Sequence, residues 1–112
     1  FFNGNHAQEN LFDTILLSHV CEHMTVKESF KVINQYLYTL KKNGKLILIT
    51  PQEKGYESDP SHIEYINFKK LEYLCKNLNM KIINKYSFPF PRSFGKFFIY
   101  NEFVVHAIFK PN

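Results

Sequence analysis

The sequence has no tryptophan, a single arginine at Arg92, two cysteines and four scattered glycines in 112 residues. Each scarcity excludes something. Two thiols cannot form a disulfide scaffold, and Cys21 and Cys75 fall where a helix starts and inside a helix, so both are expected reduced. No apolar run approaches the roughly 18 residues of a membrane span, and Phe1-Phe2-Asn3-Gly4 lacks the basic and long apolar parts of a signal peptide. A cytoplasmic protein without a membrane partner is the default expectation. The absence of an initiating methionine marks a trimmed chain or a piece of something longer. The net charge of +4 is carried by dispersed lysines, which suits a solvated surface better than a nucleic-acid patch.

What is present fits one domain at most, with 45% hydrophobic residues to build its core. Phe1 to Leu11 is polar, without periodicity, and reads as a loop. The stretch FDTILLSHVCEHM, Phe12 to Met24, organises the rest. Thr14 to Leu17 shows no polar alternation, as in a strand covered on both faces of a parallel sheet. Ser18, His19, Glu22 and His23 follow where that strand ends. The crevice outside the carboxyl ends of such strands is where ligands bind, so these residues are expected to rim an active site.

Thr25-Val26-Lys27-Glu28 has the form of a capping box, and Val26, Phe30, Ile33, Leu37 and Leu40 draw one apolar helical stripe after it. Asn43-Gly44 is expected to stop that helix, and Lys45 to Thr50 to form a second strand, giving a right-handed βαβ unit. Pro51 to Ile66 reads as a long polar loop able to cover a substrate. A helix is expected from Asn67 or Phe68, burying Leu71, Leu74, Cys75 and Leu78 and stopping at Asn79. Strands follow over Met80 to Phe88 and Phe103 to Lys110, antiparallel because Pro89 to Glu102 between them leaves no room for a crossover helix. Neither an internal repeat nor a low-complexity segment is present.

FDTILLSHVCEH, then LKKNGKLILITP, then a loop containing His62, a helix ending at Asn79 and a final antiparallel pair resemble the carboxyl half of a class I S-adenosylmethionine-dependent methyltransferase. Phe12-Asp13 and Val20-Cys21-Glu22-His23 match that family's strand, which opens in Phe-Asp and closes in Val-Leu-Glu-His. Leu40-Lys41-Lys42-Asn43-Gly44 departs at two positions from its Leu-Lys-Pro-Gly-Gly. The resemblance implies a partial Rossmann-like sheet, with S-adenosylmethionine as cofactor. It also implies that the glycine-rich turn and the acidic ribose-binding residue of the family are missing, since Gly4, Gly44, Gly55 and Gly95 do not cluster. The chain is therefore expected to be a fragment, inactive alone, with one wall of the cofactor site and the acceptor side.

On that resemblance Ser18, His19 and Val20 pass beside the cofactor, and His19 and His62 are the candidate catalytic residues, His19 first as a base. His23, His62 and Arg92 are the candidate substrate-binding residues. The plainer alternatives are that His19 only bonds backbone and that Glu22 and His23 stabilise the following turn. The spacing His19, Glu22, His23, with His62 from the loop, is also similar to the Glu-x-x-Glu-His plus distant His of metal-dependent small-RNA 2′-O-methyltransferases. A divalent metal on Glu22, His23 and His62 is implied by that likeness, with His19 standing where that family has its first Glu, and a site with three imidazoles favours zinc, manganese or iron over magnesium. Glu-His at this place also occurs in relatives without a metal.

Phe88, Phe90, Phe94, Phe97, Phe98 and Tyr100 beside Arg92 could line an acceptor pocket, but are expected to close the bottom of the core. His6 and His106 receive no role. Two competing classes are a noncatalytic interaction module and a domain binding single-stranded nucleic acid by stacking; the latter lacks an exposed aromatic platform on this reading. The strand Thr14 to Leu17 should expose an unpaired edge, a template for self-association.

Overall fold

The apolar run after Leu11 forms β1 (Phe12–Ser18), the edge strand of a four-stranded sheet in the computed structural model, which describes residues 10–109. Of the loop expected over Phe1 to Leu11, residues 1–9, His6 among them, lie outside the described residues, as does the end of the last strand at Lys110. A 3₁₀ turn, Cys21–His23, leads to α1 (Val26–Tyr36). The expected capping box is complete: the Glu28 N–H donates to the Thr25 hydroxyl at 3.1 Å, and the Thr25 N–H to the Glu28 carboxylate at 2.9 Å. Then come β2 (Leu40–Pro51), a short α2 (Glu53–Glu57), α3 (Phe68–Asn77), β3 (Met80–Phe88) and β4 (Glu102–Phe109).

The sheet order is β1-β2-β4-β3. β1 and β2 run parallel because α1 carries the chain back between them, and β4 lies antiparallel to both β2 and β3. This is the expected Rossmann-like α/β arrangement with a terminal antiparallel pair. Ile33 of α1 and Leu71, Leu74 and Cys75 of α3 pack on Leu46, Leu48, Phe103, Val105 and Ala107, all nearly inaccessible, with Ile15 and Leu17 against them. The intervening residues point the other way. Leu16 is 56% exposed, and with Ile47, Ile49, Tyr86, Phe88 and Val104 it lines a shallow apolar hollow. The unalternating strands were expected to be covered on both faces; among the described residues the helices cover one.

Two local expectations change. α1 ends at Tyr36, a 3₁₀ turn at Leu37–Thr39 follows, and Leu40 opens β2 instead of ending the helical stripe. The Asn43-Gly44 pair does not stop a helix. It folds a bulge into β2, with Asn43 at φ 65°, so that Phe12 pairs Leu40 and Thr14 already pairs Lys45. The loop from Pro51 also contains α2, a single turn and a half too short to show helical periodicity.

Gly55 in α2 backs onto the segment before β4: a Cβ there would stand 2.5 Å from the Ile99 carbonyl oxygen. Backbone cannot yield as a side-chain tip does. Gly55→Ala is expected to lower unfolding stability by about 1–3 kcal/mol in denaturant titration, the usual range for overpacking. An unchanged midpoint would show that the two segments part freely.

Candidate active site

The parallel pairing of β1 and β2 brings the ends of both strands, Ser18 and Pro51, to one edge of the sheet. β4 starts at that edge, with Glu102 paired to Pro51. His19 turns off β1 at φ 59°, its N–H donating to the Ile49 carbonyl at 2.9 Å. That turn aims its ring across the strand ends. Nε2 of His19 pairs with the Glu102 carboxylate, and Nδ1 lies 3.4 Å from Oε2 of Glu22. His19, Pro51, Gly55, His62, Tyr100 and Glu102 line a hollow of ≈ 350 Å³ there. Ser18 is exposed at the end of β1 and Val20 half-buried beyond His19.

Glu22 sits in the 3₁₀ turn with 0% of its surface exposed. Neither carboxylate oxygen has a hydrogen-bond partner among the described residues. Its backbone carbonyl accepts from the Ile63 N–H at 2.7 Å and the Glu64 N–H at 3.2 Å, which closes the 59–64 loop over it. The Glu64 carboxylate reinforces the closure by accepting from the Val26 N–H at 3.0 Å and pairing with Lys70 at 2.7 Å. His62 is thereby delivered to Glu22, 3.9 Å from Nε2 to Oε2, as is His23 at 3.9 Å from the turn itself. The structure thus gathers His19, Glu22, His23 and His62 at one edge, as the sequence spacing implied. Glu102 was missed. The signal for it was available, because an antiparallel last strand must start where β2 ends.

Arg92 is placed differently from its expectation as a substrate ligand. Its guanidinium donates to both Glu53 oxygens at 2.8 and 3.1 Å and to the Tyr65 hydroxyl at 3.2 Å, and lies 4.7 Å over the Phe103 ring. The carboxylate it pairs is the chain's own. Beside it Gln52 and Asn101, both fully buried, are joined by an Asn101 Nδ2 to Gln52 Oε1 bond of 2.9 Å, and Asn101 Oδ1 accepts from the Phe90 N–H at 2.8 Å. These polar ties hold the 89–101 segment. Its aromatics do not close the core as expected: Phe90, Phe94 and Phe98 stack on one another at the surface, and Phe97 and Tyr100 are 74% and 81% exposed. An exposed aromatic ridge therefore exists. His106 takes the structural part foreseen for it, its Nε2 3.1 Å from the Tyr86 hydroxyl. Both cysteines are free and buried, which pushes the Cys21 thiol up to about 11 and Cys75 to about 12.

No protein-family model matches the sequence, and no curated protein does. Solved structures match its fold. An S-adenosylmethionine-dependent methyltransferase from Archaeoglobus fulgidus aligns with a TM-score of 0.70 and 12% identity over 90% of this chain and 61% of its own. One from Methanosarcina mazei gives 0.66 at 16%, covering 93% and 62%. A Burkholderia thailandensis 1,6-didemethyltoxoflavin-N1-methyltransferase, with 1,6-didemethyltoxoflavin and S-adenosylhomocysteine bound, gives 0.68 at 13%, covering 92% and 46%. The fold is that of S-adenosylmethionine-dependent methyltransferases, and the chain spans less than two thirds of the length of each of these. Among the described residues no helix is long and apolar enough to cross a membrane.

Acid should loosen the ties around the site. Burial raises the Glu53 carboxyl, but hydrogen bonds from Arg92 outweigh it and leave the group below its ordinary value; Glu64 is lowered likewise, Lys70 and the Val26 N–H prevailing over burial. A carboxylate depressed on folding stabilises the native state above its unfolded pKa of about 4.3, and that stability is lost as pH falls through the folded value. Thermal melts are expected to fall below about pH 4.5, with a shallower fall in Glu53→Gln. Equal acid limbs in the two proteins would contradict the assignment.

Proposed function

We propose that this chain is the carboxyl-terminal part of one methyltransferase domain that moves a methyl group from S-adenosylmethionine to an acceptor held over the ends of β1 and β2. The observation that carries it is the hollow at those ends, where His19 faces Glu102, on a fold shared with these enzymes. The apolar face around Leu16 and the edge of β1, both uncovered among the described residues, support a further part of the domain packing there. Without that part, the same edge is a template for a second copy. The residues present fit one wall of a cofactor site: the hollow is flanked by the Glu102 carboxylate, suited to a positively charged sulfur, but the four glycines of the sequence form no phosphate- or methionine-cradling cluster.

Bound there, the cofactor supplies an electrophilic methyl group. Ser18, His19 and Val20 form the wall beside it. His19, whose Nε2–H is held by the Glu102 carboxylate, is the base that takes the acceptor's proton on Nδ1, and His62, which lines the same hollow, orients the acceptor. His23 stands on the acceptor side as well. Arg92 acts as an anchor of the 89–101 segment, which leaves the exposed ridge of Phe94, Phe98 and Tyr100 to receive a planar or apolar acceptor. That ridge also favours a second reading, stacking of single-stranded nucleic acid; steep salt-dependent oligonucleotide binding that survives cofactor competition would select it.

Calorimetric titration of the natural full-length protein with S-adenosylhomocysteine tests the first reading. Saturable binding is expected, weakened tenfold or more by Ser18→Trp, which thrusts a ring into the wall. His19→Ala should leave that binding within about threefold while slowing methyl transfer by about 10²–10⁴, the usual worth of a positioned base. Absence of binding to the wild-type protein would overturn the reading.

A further inference from the structure

Glu22 lacks donors. It is wholly buried, and neither carboxylate oxygen accepts a hydrogen bond among the described residues. The side chains around it are imidazoles whose protons are committed elsewhere. Nδ1 of His62 lies 2.7 Å from the Tyr56 carbonyl oxygen, which can only accept, so Nδ1 carries the hydrogen. Ser61 Oγ gives its proton to Asp59 at 2.8 Å and can only accept from Nδ1 of His23, 3.2 Å away. Nε2 of His19 donates to Glu102. In the neutral rings the remaining nitrogens are bare lone pairs, and all three face Oε2 of Glu22: Nδ1 of His19 at 3.4 Å, Nε2 of His23 at 3.9 Å and Nε2 of His62 at 3.9 Å. Acceptors converge on a carboxylate with no proton among them.

We infer that the acceptor is a primary amine, and that its ammonium group is held by Oε2 of Glu22 and by Nε2 of His23 and of His62. The inference rests on the methyl-transfer reading and names its substrate class. A primary ammonium offers three donors and accepts nothing, and it brings the positive charge that a buried carboxylate requires. A hydroxyl brings one donor and no charge, and would leave two of the three acceptors bare. The spacing agrees. The three atoms lie within 4.8 Å of one another, with 3.9 Å from the oxygen to each nitrogen. An ammonium nitrogen about 2.8–3.0 Å from all three then stands outside their plane, with these three left where they are. Ligands of a metal ion, with bonds of about 2.0–2.2 Å, would have to close to about 3.0–3.5 Å. The side chains of His19 and His23 are 45% and 38% exposed, and His19 and His62 line the hollow where an acceptor is placed, so the cluster adjoins that hollow.

The test titrates the natural full-length protein, its histidines labelled with nitrogen-15, with methylammonium chloride at about pH 8 and follows the ring nitrogens. Nε2 of His23 and of His62 should shift saturably, half-way at about 10–100 mM, as befits a ligand of two heavy atoms. Tetramethylammonium, equally charged but without an N–H, should leave both in place. Glu22→Gln should abolish the response while holding or raising the melting temperature, because an amide N–H then donates to an imidazole. Should that variant misfold, His23→Ala, at a half-exposed position, takes its place and is expected to weaken binding threefold or more; His106→Ala should bind like wild type. No shift up to about 0.3 M, an equal response to tetramethylammonium, or an undiminished one in both Glu22→Gln and His23→Ala overturns the inference. S-adenosylhomocysteine binding, measured in parallel without amine, separates the two readings. Binding without a methylammonium response removes the amine alone, whereas no binding removes the methyl-transfer reading on which the acceptor rests.

Discussion

The carbonyl and carboxylate of Glu22 fix the geometry on which the candidate site depends. The carbonyl takes the N–H groups of Ile63 and Glu64, so a stretch forty residues downstream is sewn to the turn that ends β1. The carboxylate, sealed under that seam, lies within 4 Å of His19, His23 and His62. A buried acceptor left unpaired costs about 1–3 kcal/mol, and more when charged, so a protein retains one where something else compensates. No packing requirement puts a carboxyl group at this spot, and breaks of such local rules are where functional sites are looked for.

The parallel crossover explains why the edge exists at all. Carrying the chain back through α1 aligns the ends of β1 and β2, and the reversed β4 then begins beside them with Glu102. His19 can pair with Glu102 only because both elements meet at Pro51. The same construction leaves an imbalance across the sheet. One face is packed by α1 and α3 to near-zero accessibility, while Leu16, Ile47 and Ile49 on the other lie in a shallow apolar hollow. Strands this apolar on both sides are characteristic of sheets layered on both sides.

Much of this was legible in the sequence. An unalternating run ending in ionisable residues placed β1 and the edge; Thr25 and Glu28 placed the helix start; Asn67, whose side chain accepts from the Lys70 N–H, and Asn79 at φ 58° bracketed α3. The spacing of His19, Glu22 and His23 with a loop histidine anticipated the cluster. Other features were hidden for physical reasons. The bulge at Asn43-Gly44 uses the same residues that end a helix, and α2 is too short for a period to register. Arg92 and Glu53 find each other across 39 positions, a pairing that no local pattern encodes. The aromatics of the 89–101 segment looked like core because composition cannot tell a buried ring from one held at the surface by Asn101, Gln52 and Arg92.

The most direct test of the central claim, that the ends of β1 and β2 form the wall of a methyl-donor site, is the amide spectrum of isotope-labelled full-length protein during addition of S-adenosylhomocysteine. The account predicts saturable shifts centred on Ser18, His19 and Val20, with smaller ones at His62 and Glu102. Shifts confined to the Phe94 to Tyr100 ridge, or none at all, would contradict it.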